Sequence, residues 1–184
     1  MLKEFMEWVK AIAYALVIVF VFNIFFGITT VFNTSMIPTL VEGNMLFVSK
    51  ISKVHQGDII TFETDLTLSR TDVETLGPIK RLFVSEETKK NLIKRVIGMP
   101  GDKVEITNGE VYVNDQKLAE TYINTVTNGL VLIESIPDGK YFVMGDNRAV
   151  SLDSRSDIIG LVDGERIIGE AVFRFWPILQ ITVF

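Results

Sequence analysis

Apolar and polar positions divide the chain into two unlike parts. Residues 11–28 are apolar apart from Asn23, whereas from Met45 onward the apolar positions fall into short runs rich in β-branched and aromatic residues, separated by turn residues. The pattern predicts one long helix followed by a mainly β domain. At ~1.5 Å per residue the first block covers roughly 27 Å, close to the thickness of a hydrocarbon core. It is apolar all round, which suits a lipid-facing helix better than a buried one. The run that follows, Thr29-Thr30-Val31-Phe32-Asn33, is not the small-x-small site of a cleaved leader, so the block is expected to stay as an anchor. Lys3, Lys10 and the terminal amine favour an N-terminus on the inner side. Glu4, Glu7 and the lysines beyond the span, Lys50 and Lys53, make that bias small.

Within the β part, Met45-Leu46-Phe47-Val48 reads as a strand, Gln56-Gly57-Asp58 as a turn and Ile59-Ile60-Thr61-Phe62 as the next strand. Residues 63–90 turn polar and read as a surface excursion. Leu92-Ile93-Lys94-Arg95-Val96-Ile97 resumes a strand that stops at Gly98-Met99-Pro100-Gly101-Asp102. Alternation puts Lys94 on the face of Leu92 and Val96, and Arg95 on the other. Val104-Glu105-Ile106 and Val111-Tyr112-Val113 flank Asn108-Gly109, a dipeptide suited to the positive φ of a type I′ hairpin, within a 103–140 subregion. Pro137-Asp138-Gly139 turns the chain into Tyr141-Phe142-Val143-Met144. Residues 170–184 are apolar and aromatic around Arg174 and Trp176-Pro177, too short for a second span. They read as a core strand, with an aromatic surface dipping into a membrane interface as the alternative. The expected organisation is a tip and anchor over 1–28 and a β domain over 29–184.

Composition narrows the chemistry. The 184 residues suffice for one domain plus an anchor, and the mean hydropathy of +0.33 is high because of the N-terminal block. A net charge of −5 with no dense Lys/Arg cluster argues against a nucleic-acid partner. No cysteine removes disulfides, thiolate metal sites and a thiol nucleophile, and a single histidine, His55, argues against a His-based metal site. No metal or cofactor is expected.

Directly after the apolar block stands Asn33-Thr34-Ser35-Met36-Ile37-Pro38-Thr39-Leu40. Pro38 biases Ile37 toward extended geometry, so this run is expected to be a stiff, non-helical connection that fixes Ser35 in one orientation. On its own it is also an ordinary loop. A serine alcohol needs a neighbouring base to attack an amide. His55 sits beside a turn with nothing linking it to Ser35. Lys94, among aliphatic neighbours, has the setting that lowers a lysine pKa from its usual value of about 10.4, although most lysines are simply solvated.

Three stretches together resemble one family, the type I signal peptidases, membrane-anchored serine proteases that remove signal peptides from exported proteins. Ser35-Met36-Ile37-Pro38-Thr39-Leu40 is similar to the family's nucleophile motif, Lys94-Arg95-Val96-Ile97-Gly98-Met99-Pro100-Gly101-Asp102 to its general-base motif, and Gly145-Asp146-Asn147-Arg148-Ala149-Val150-Ser151-Leu152-Asp153-Ser154-Arg155 to its supporting motif. Their order and the anchor fit as well.

The resemblance implies that Ser35 forms an acyl-enzyme and that Lys94 takes its proton and activates the deacylating water. It also implies that Ser151 orients the Lys94 amine, that Asp153 and Arg155 form a supporting ion pair, and that Asp146 and Asn147 shape the same loop. The oxyanion hole would use the Ser35 N–H and the side chain at Asn33, where the family often has a hydroxyl. Val31 and Ile93 would wall the pockets for small substrate residues. Preproteins carrying signal peptides and the lipid bilayer are the implied partners, with the catalytic domain outside the cytoplasm. Two other readings share the motifs: a specialised processing peptidase of pilus or conjugation systems, and a catalytically silent anchored homologue acting as a binding module.

Overall fold

The computed structural model describes residues 1–75, 84, 85 and 87–184. Helix α1 (Leu2–Phe25) opens the chain, and the apolar span within it, Lys3–Phe25, is 23 residues long with none of its apolar window packed into the rest of the protein. It is thus a helix long enough and apolar enough to cross a membrane, touching the β domain at its C-terminal end. It ends three residues before the apolar block does. Lys50 reaches back from the end of a later strand, donating its backbone N–H to the Phe25 carbonyl at 2.8 Å and its Nζ to the Asn23 carbonyl at 2.8 Å. Carbonyls left unpaired at a helix C-terminus are satisfied in this way, and the cation complements the helix dipole.

The domain that follows is antiparallel throughout its ladders. The large sheet contains β1 (Phe26–Thr30), β2 (Met45–Ser49), β3 (Ile59–Thr67) and β4 (Lys89–Gly98). The small sheet contains β5 (Val104–Thr107), β6 (Glu110–Val113), β7 (Gln116–Lys117) and β8 (Val131–Ile133). The chain then returns to the large sheet through β9 (Lys140–Met144), β10 (Val162–Asp163), β11 (Ile167–Trp176) and β12 (Thr182–Val183). Strand order in the large sheet is β1-β2-β11-β3-β4-β9-β10 with β12 added to β11, and in the small one β7-β6-β5-β8. The β5–β6 hairpin turns at Asn108 and Gly109, with φ of 51° and 83°, the positive angles that this dipeptide tolerates.

Two elements differ from the hydrophobic pattern. Strand β3 runs five residues beyond Phe62, and Glu63 pairs with Asn91 and Thr67 with Lys89. These residues look polar in the sequence because Glu63, Asp65 and Thr67 lie toward solvent while Thr64 is buried, its hydroxyl donating to the Lys90 carbonyl at 2.6 Å. The excursion therefore begins as a strand and continues into a short helix, α2 (Arg70–Thr75); residues 76–83 and 86 of it lie outside the described residues. At the other end, the core-strand expectation for 170–184 holds at Ala171, which is buried, but the tail leaves the core. Trp176, Ile178, Ile181 and Val183 are exposed, and Leu179 is 98% exposed.

Strand β4 ties the interior together. Its Ile97 enters an apolar cluster with Val104, Ile106 and Phe142 between the two sheets. Its Leu92 and Val96 join Ile60, Phe62 and Val143. Its Ile93 packs on a third cluster, with Val31, Met36, Leu40 and Leu46, beneath the 33–40 turn. Buried apolar side chains of this size contribute about 1.5–3 kcal/mol each, so the strand is held from both faces. A row of rings, Phe22, Phe26, Phe47 and Phe173, with centroids 5.0 to 5.1 Å apart, carries contact from the anchor helix across β1 and β2 to β11.

Candidate active site

The site starts from the packing of residues 31–40. Val31 is pinned by two backbone bonds, its N–H to the Asn44 carbonyl and its carbonyl from the Gly43 N–H, each 2.9 Å. Met36 and Leu40 are sunk in the core and anchor the turn from below. The turn is less extended than Pro38 suggests: the Leu40 N–H donates to the Met36 carbonyl at 2.9 Å, one helix-type bond, and the Ile37 N–H donates to the Thr34 carbonyl at 3.2 Å. Pro38 has no N–H to leave unpaired here.

Lys94 comes to this turn from β4. Its side chain is buried, its cross-strand partner is Ile60, and Leu92 and Val96 flank it on the same face. The amine Nζ lies 2.8 Å from Ser35 Oγ and donates to the Ile93 carbonyl at 3.0 Å. Burial disfavours the ammonium and lowers its pKa from 10.5 to about 8, against the opposing pull of Asp153 and Asp146, with Lys90 adding a small push in the same direction as burial. An amine of this kind is neutral in about a tenth of molecules at pH 7, and in more as pH rises, and the neutral form can accept a serine proton. His55, the other base weighed from the sequence, is solvent-exposed, and its partner is Asp58.

The third stretch wraps beneath these two. The Asn147 N–H donates to the Ser35 carbonyl at 2.9 Å and its side-chain amide to the Thr34 carbonyl at 3.1 Å. Gly145 has no room for a side chain, since a Cβ would collide with the Ser35 carbonyl oxygen and Ser151 Oγ. Asp153, buried, accepts from the Gly145 N–H at 3.0 Å and from Arg155 Nε at 2.8 Å and Nη2 at 2.9 Å. Burial alone would raise this carboxyl, but the Arg155 guanidinium and the Gly145 N–H hold it below the usual carboxylate range.

Asp146 has a different partner from the one its loop neighbours suggest: Arg95 forks onto it, Nε to Oδ1 at 2.9 Å and Nη2 to Oδ2 at 2.7 Å, and Thr39 also donates to it. Sequence reasoning did not single out Arg95, nor Glu120, which pairs with the buried Arg148 guanidinium alongside Thr127. The only local signal was a pair of arginines inside otherwise apolar or turn segments.

The remaining expected residues stand as follows. Ser151 Oγ is buried beside the Asp153 carboxylate, and among the described residues the amine's two bonds go to Ser35 and Ile93 instead. Asn33 Oδ1 is buried without a partner among the described residues. An amide whose oxygen has nothing to accept from can turn over and present its NH2 in the same place at little cost. The Ser35 N–H donates to no protein group among the described residues. Val31 and Ile93 share the core cluster beneath the turn and line a groove of about 250 Å³ between residues 29–36 and β4, with Ser35 and Lys94 also on its surface.

A serine alcohol 2.8 Å from a desolvated amine, on the wall of an apolar groove, is the arrangement of a serine hydrolase with a lysine base. Comparison with known proteins narrows the class. Residues 5–176 match the family model described as "Signal peptidase, peptidase S26". Signal peptidase IB of Staphylococcus aureus is 34% identical over 200 aligned residues, covering 96% of this chain and 92% of that protein. Signal peptidase I of Bacillus licheniformis is 35% identical over 190, covering 95% and 90%. Among solved structures, a signal peptidase I from Enterococcus faecalis V583 superposes with a TM-score of 0.48 at 26% identity, covering 65% of this chain and 97% of that one. The chain belongs to the signal peptidase family of membrane-bound serine endopeptidases, which remove N-terminal signal peptides.

Proposed function

We propose that Ser35 is the nucleophile and Lys94 the general base of this peptidase. The 2.8 Å contact between Lys94 Nζ and Ser35 Oγ carries the reading. Neutral Lys94 takes the Ser35 proton as the alcohol attacks the scissile carbonyl. The resulting ammonium passes that proton to the departing amine, which leaves an acyl-enzyme. Lys94, neutral again, then deprotonates the water that hydrolyses the ester. The Ser35 N–H and the turned-over amide of Asn33 receive the negative charge that develops on the carbonyl oxygen. A donor of this type is worth about 3 kcal/mol in the transition state.

Val31 and Ile93 restrict the residues before the cut to small ones. Ser151 orients the Lys94 amine toward Ser35. Asp153 with Arg155, and Asp146 with Asn147, keep the loop in register with the nucleophile. These assignments rest on the motif resemblance and on the bonding described above.

The substrates in this reading are preproteins whose own apolar leader lies in the same bilayer, with the N-terminus of this chain cytoplasmic and the β domain on the other side. Tethering raises the local concentration of the site over such substrates. The exposed apolar tail, Trp176 to Phe184, follows β11, which pairs with β2 on the side of the sheet that joins the anchor, and so suits contact with the interface.

Detergent-solubilised protein should cut a preprotein after a small residue. Ser35→Ala and Lys94→Met should each lower the rate by at least about a thousandfold. With the Lys94 pKa lowered to about 8, the native rate should rise through that pH as the amine loses its proton. Near-native turnover by Lys94→Met, or a rate independent of pH from 6 to 10, would remove the base assignment.

A further inference from the structure

A second depression, of about 220 Å³, meets the groove at the nucleophile. The two share Ser35, Lys94, Asn33, Lys90 and Leu92 and then part company. The groove continues along residues 29–32, whereas the second depression extends past Thr34 to Leu66, Val150 and Leu152. Ser35 and Lys94 therefore stand at the junction. An extended peptide lying across Ser35 with its carbonyl carbon at Oγ sends its acyl half one way and its leaving half the other. If the acyl half occupies the groove, the leaving half has this depression to enter.

The far wall is unusual for a polar turn. Val150 is 61% exposed and Leu152 37% exposed, flanking Ser151 within a loop whose Asp146, Asn147, Arg148, Asp153 and Arg155 side chains are engaged in ion pairs or backbone bonds. Leu66 faces them from the extension of β3. A single exposed aliphatic side chain on a surface means little. Here two exposed ones and the half-buried Leu66 surround one depression beside the nucleophile, and the bond to be broken fixes what can lie there. Apolar surface of this kind gains by removal from water when a substrate side chain covers it.

We infer that Leu66, Val150 and Leu152 form a leaving-side subsite that selects an apolar side chain at the first residue after the cut. The inference rests on the Ser35/Lys94 reading and adds to it a preference on the other side of the scissile bond. Because the subsite is filled in the acylation transition state, the preference should appear in kcat/KM for peptide cleavage.

The test uses full-length protein in detergent and peptides identical but for the first residue after the cut, Leu or Asn, with alanines at the first and third positions before it. The native protein should favour Leu by about tenfold in kcat/KM, the scale of a side chain gaining a partial apolar pocket. Val150→Asn should cut that ratio severalfold and Val150→Asn with Leu152→Asn should bring it to within about twofold, while the preference for Ala over Leu before the cut persists as evidence that the site is folded. Moving the Leu to the second position after the cut should lose most of the gain. Equal cleavage of the Leu and Asn peptides by the native protein, or a preference that both variants keep, overturns the subsite and leaves the Ser35/Lys94 reading intact. Failure to cut any peptide overturns that reading and the subsite with it.

Discussion

Lys94 and Arg95 are neighbours on β4, and their side chains leave opposite faces of the strand into interiors that treat a cation in opposite ways. On the Arg95 face the charge is answered in full: the guanidinium forks onto Asp146, donates from Nη1 to the Gly57 carbonyl at 2.7 Å, and lies 4.0 Å from the centre of the Tyr122 ring. On the Lys94 face, among the described residues, an alcohol and a carbonyl meet the amine, and the carboxylates of Asp153 and Asp146 act on it from a distance. Burial with a partner fixes a charge in place, whereas burial without one makes the charge expendable. One strand therefore carries a structural cation and a titratable base side by side.

The contrast can be broken most severely at Asp146. Its side chain is fully buried and that of Arg95 is 11% exposed, so Asp146→Ala strands a guanidinium without its anion and also frees Thr39, four residues after the nucleophile. Removing one partner of such a pair costs about 3–5 kcal/mol. Denaturant unfolding should show a loss of that size. A loss under about 1 kcal/mol would mean that Arg95 finds water or another partner, and that the two faces are not as unlike as described.

At Lys94 the sign reverses. In the unfolded chain the amine titrates near 10.5 and in the folded one near 8. Below pH 8 both states carry the proton and the folded state bears the whole cost of the buried charge, about 3 kcal/mol. Between pH 8 and 10.5 the folded state sheds the proton while the unfolded state keeps it, so stability from this group rises with pH. Above 10.5 the cost is gone. Lys94→Met, which is inactive in the proposed mechanism, should therefore be more stable than the native protein at pH 7 by up to that amount, and the gap should close as pH approaches 10.5. Paired unfolding curves at pH 7 and 10 measure this directly, and a gap that does not change with pH would refute the buried-charge account.

How much of this was legible beforehand follows from which interactions are local. The anchor, the Asn108-Gly109 hairpin and the alternation that sets Lys94 between Leu92 and Val96 all depend on residues close in sequence, and the hydrophobic pattern exposes them. The end of α1 does not: the pattern runs to Ile28, but Lys50 caps the helix at Phe25 from 25 residues along the chain. The Arg95–Asp146 fork joins positions 51 apart, and Arg148–Glu120 joins positions 28 apart. Nothing near Arg95 or Glu120 announces a partner. The β3 extension was hidden for a subtler reason. Glu63, Asp65 and Thr67 do alternate with Thr64 and Leu66, but Thr64 is a weak marker of an interior position, so the segment reads as loop. For the candidate site, motif order brought Ser35 and Lys94 together, whereas the buried oxygen of Asn33, without a partner among the described residues, appears only in the fold.

The finest test of the contrast concerns Lys90, four residues before Lys94 on the same strand. Its Nζ donates to both carboxylate oxygens of Asp72, at 3.0 and 2.9 Å, and its charge is the last of the influences on the Lys94 amine, pushing the pKa down. The pair is partly exposed, with side chains 24% and 28% accessible, so solvent and the Asp72 carboxylate screen most of the Lys90 field. Lys90→Met removes a like charge from the neighbourhood of Lys94. The ammonium becomes slightly easier to keep, and the rising limb of the rate profile should move a little to higher pH. The rate at pH 7 then falls by less than about threefold, and the alkaline plateau stays within a factor of two. Asp72→Asn unmasks the Lys90 charge and should move the limb the other way. Opposite displacements by the two variants would show Lys94 responding to charge alone. A common displacement would show that both act by deforming the groove, which Lys90 and Asp72 also line.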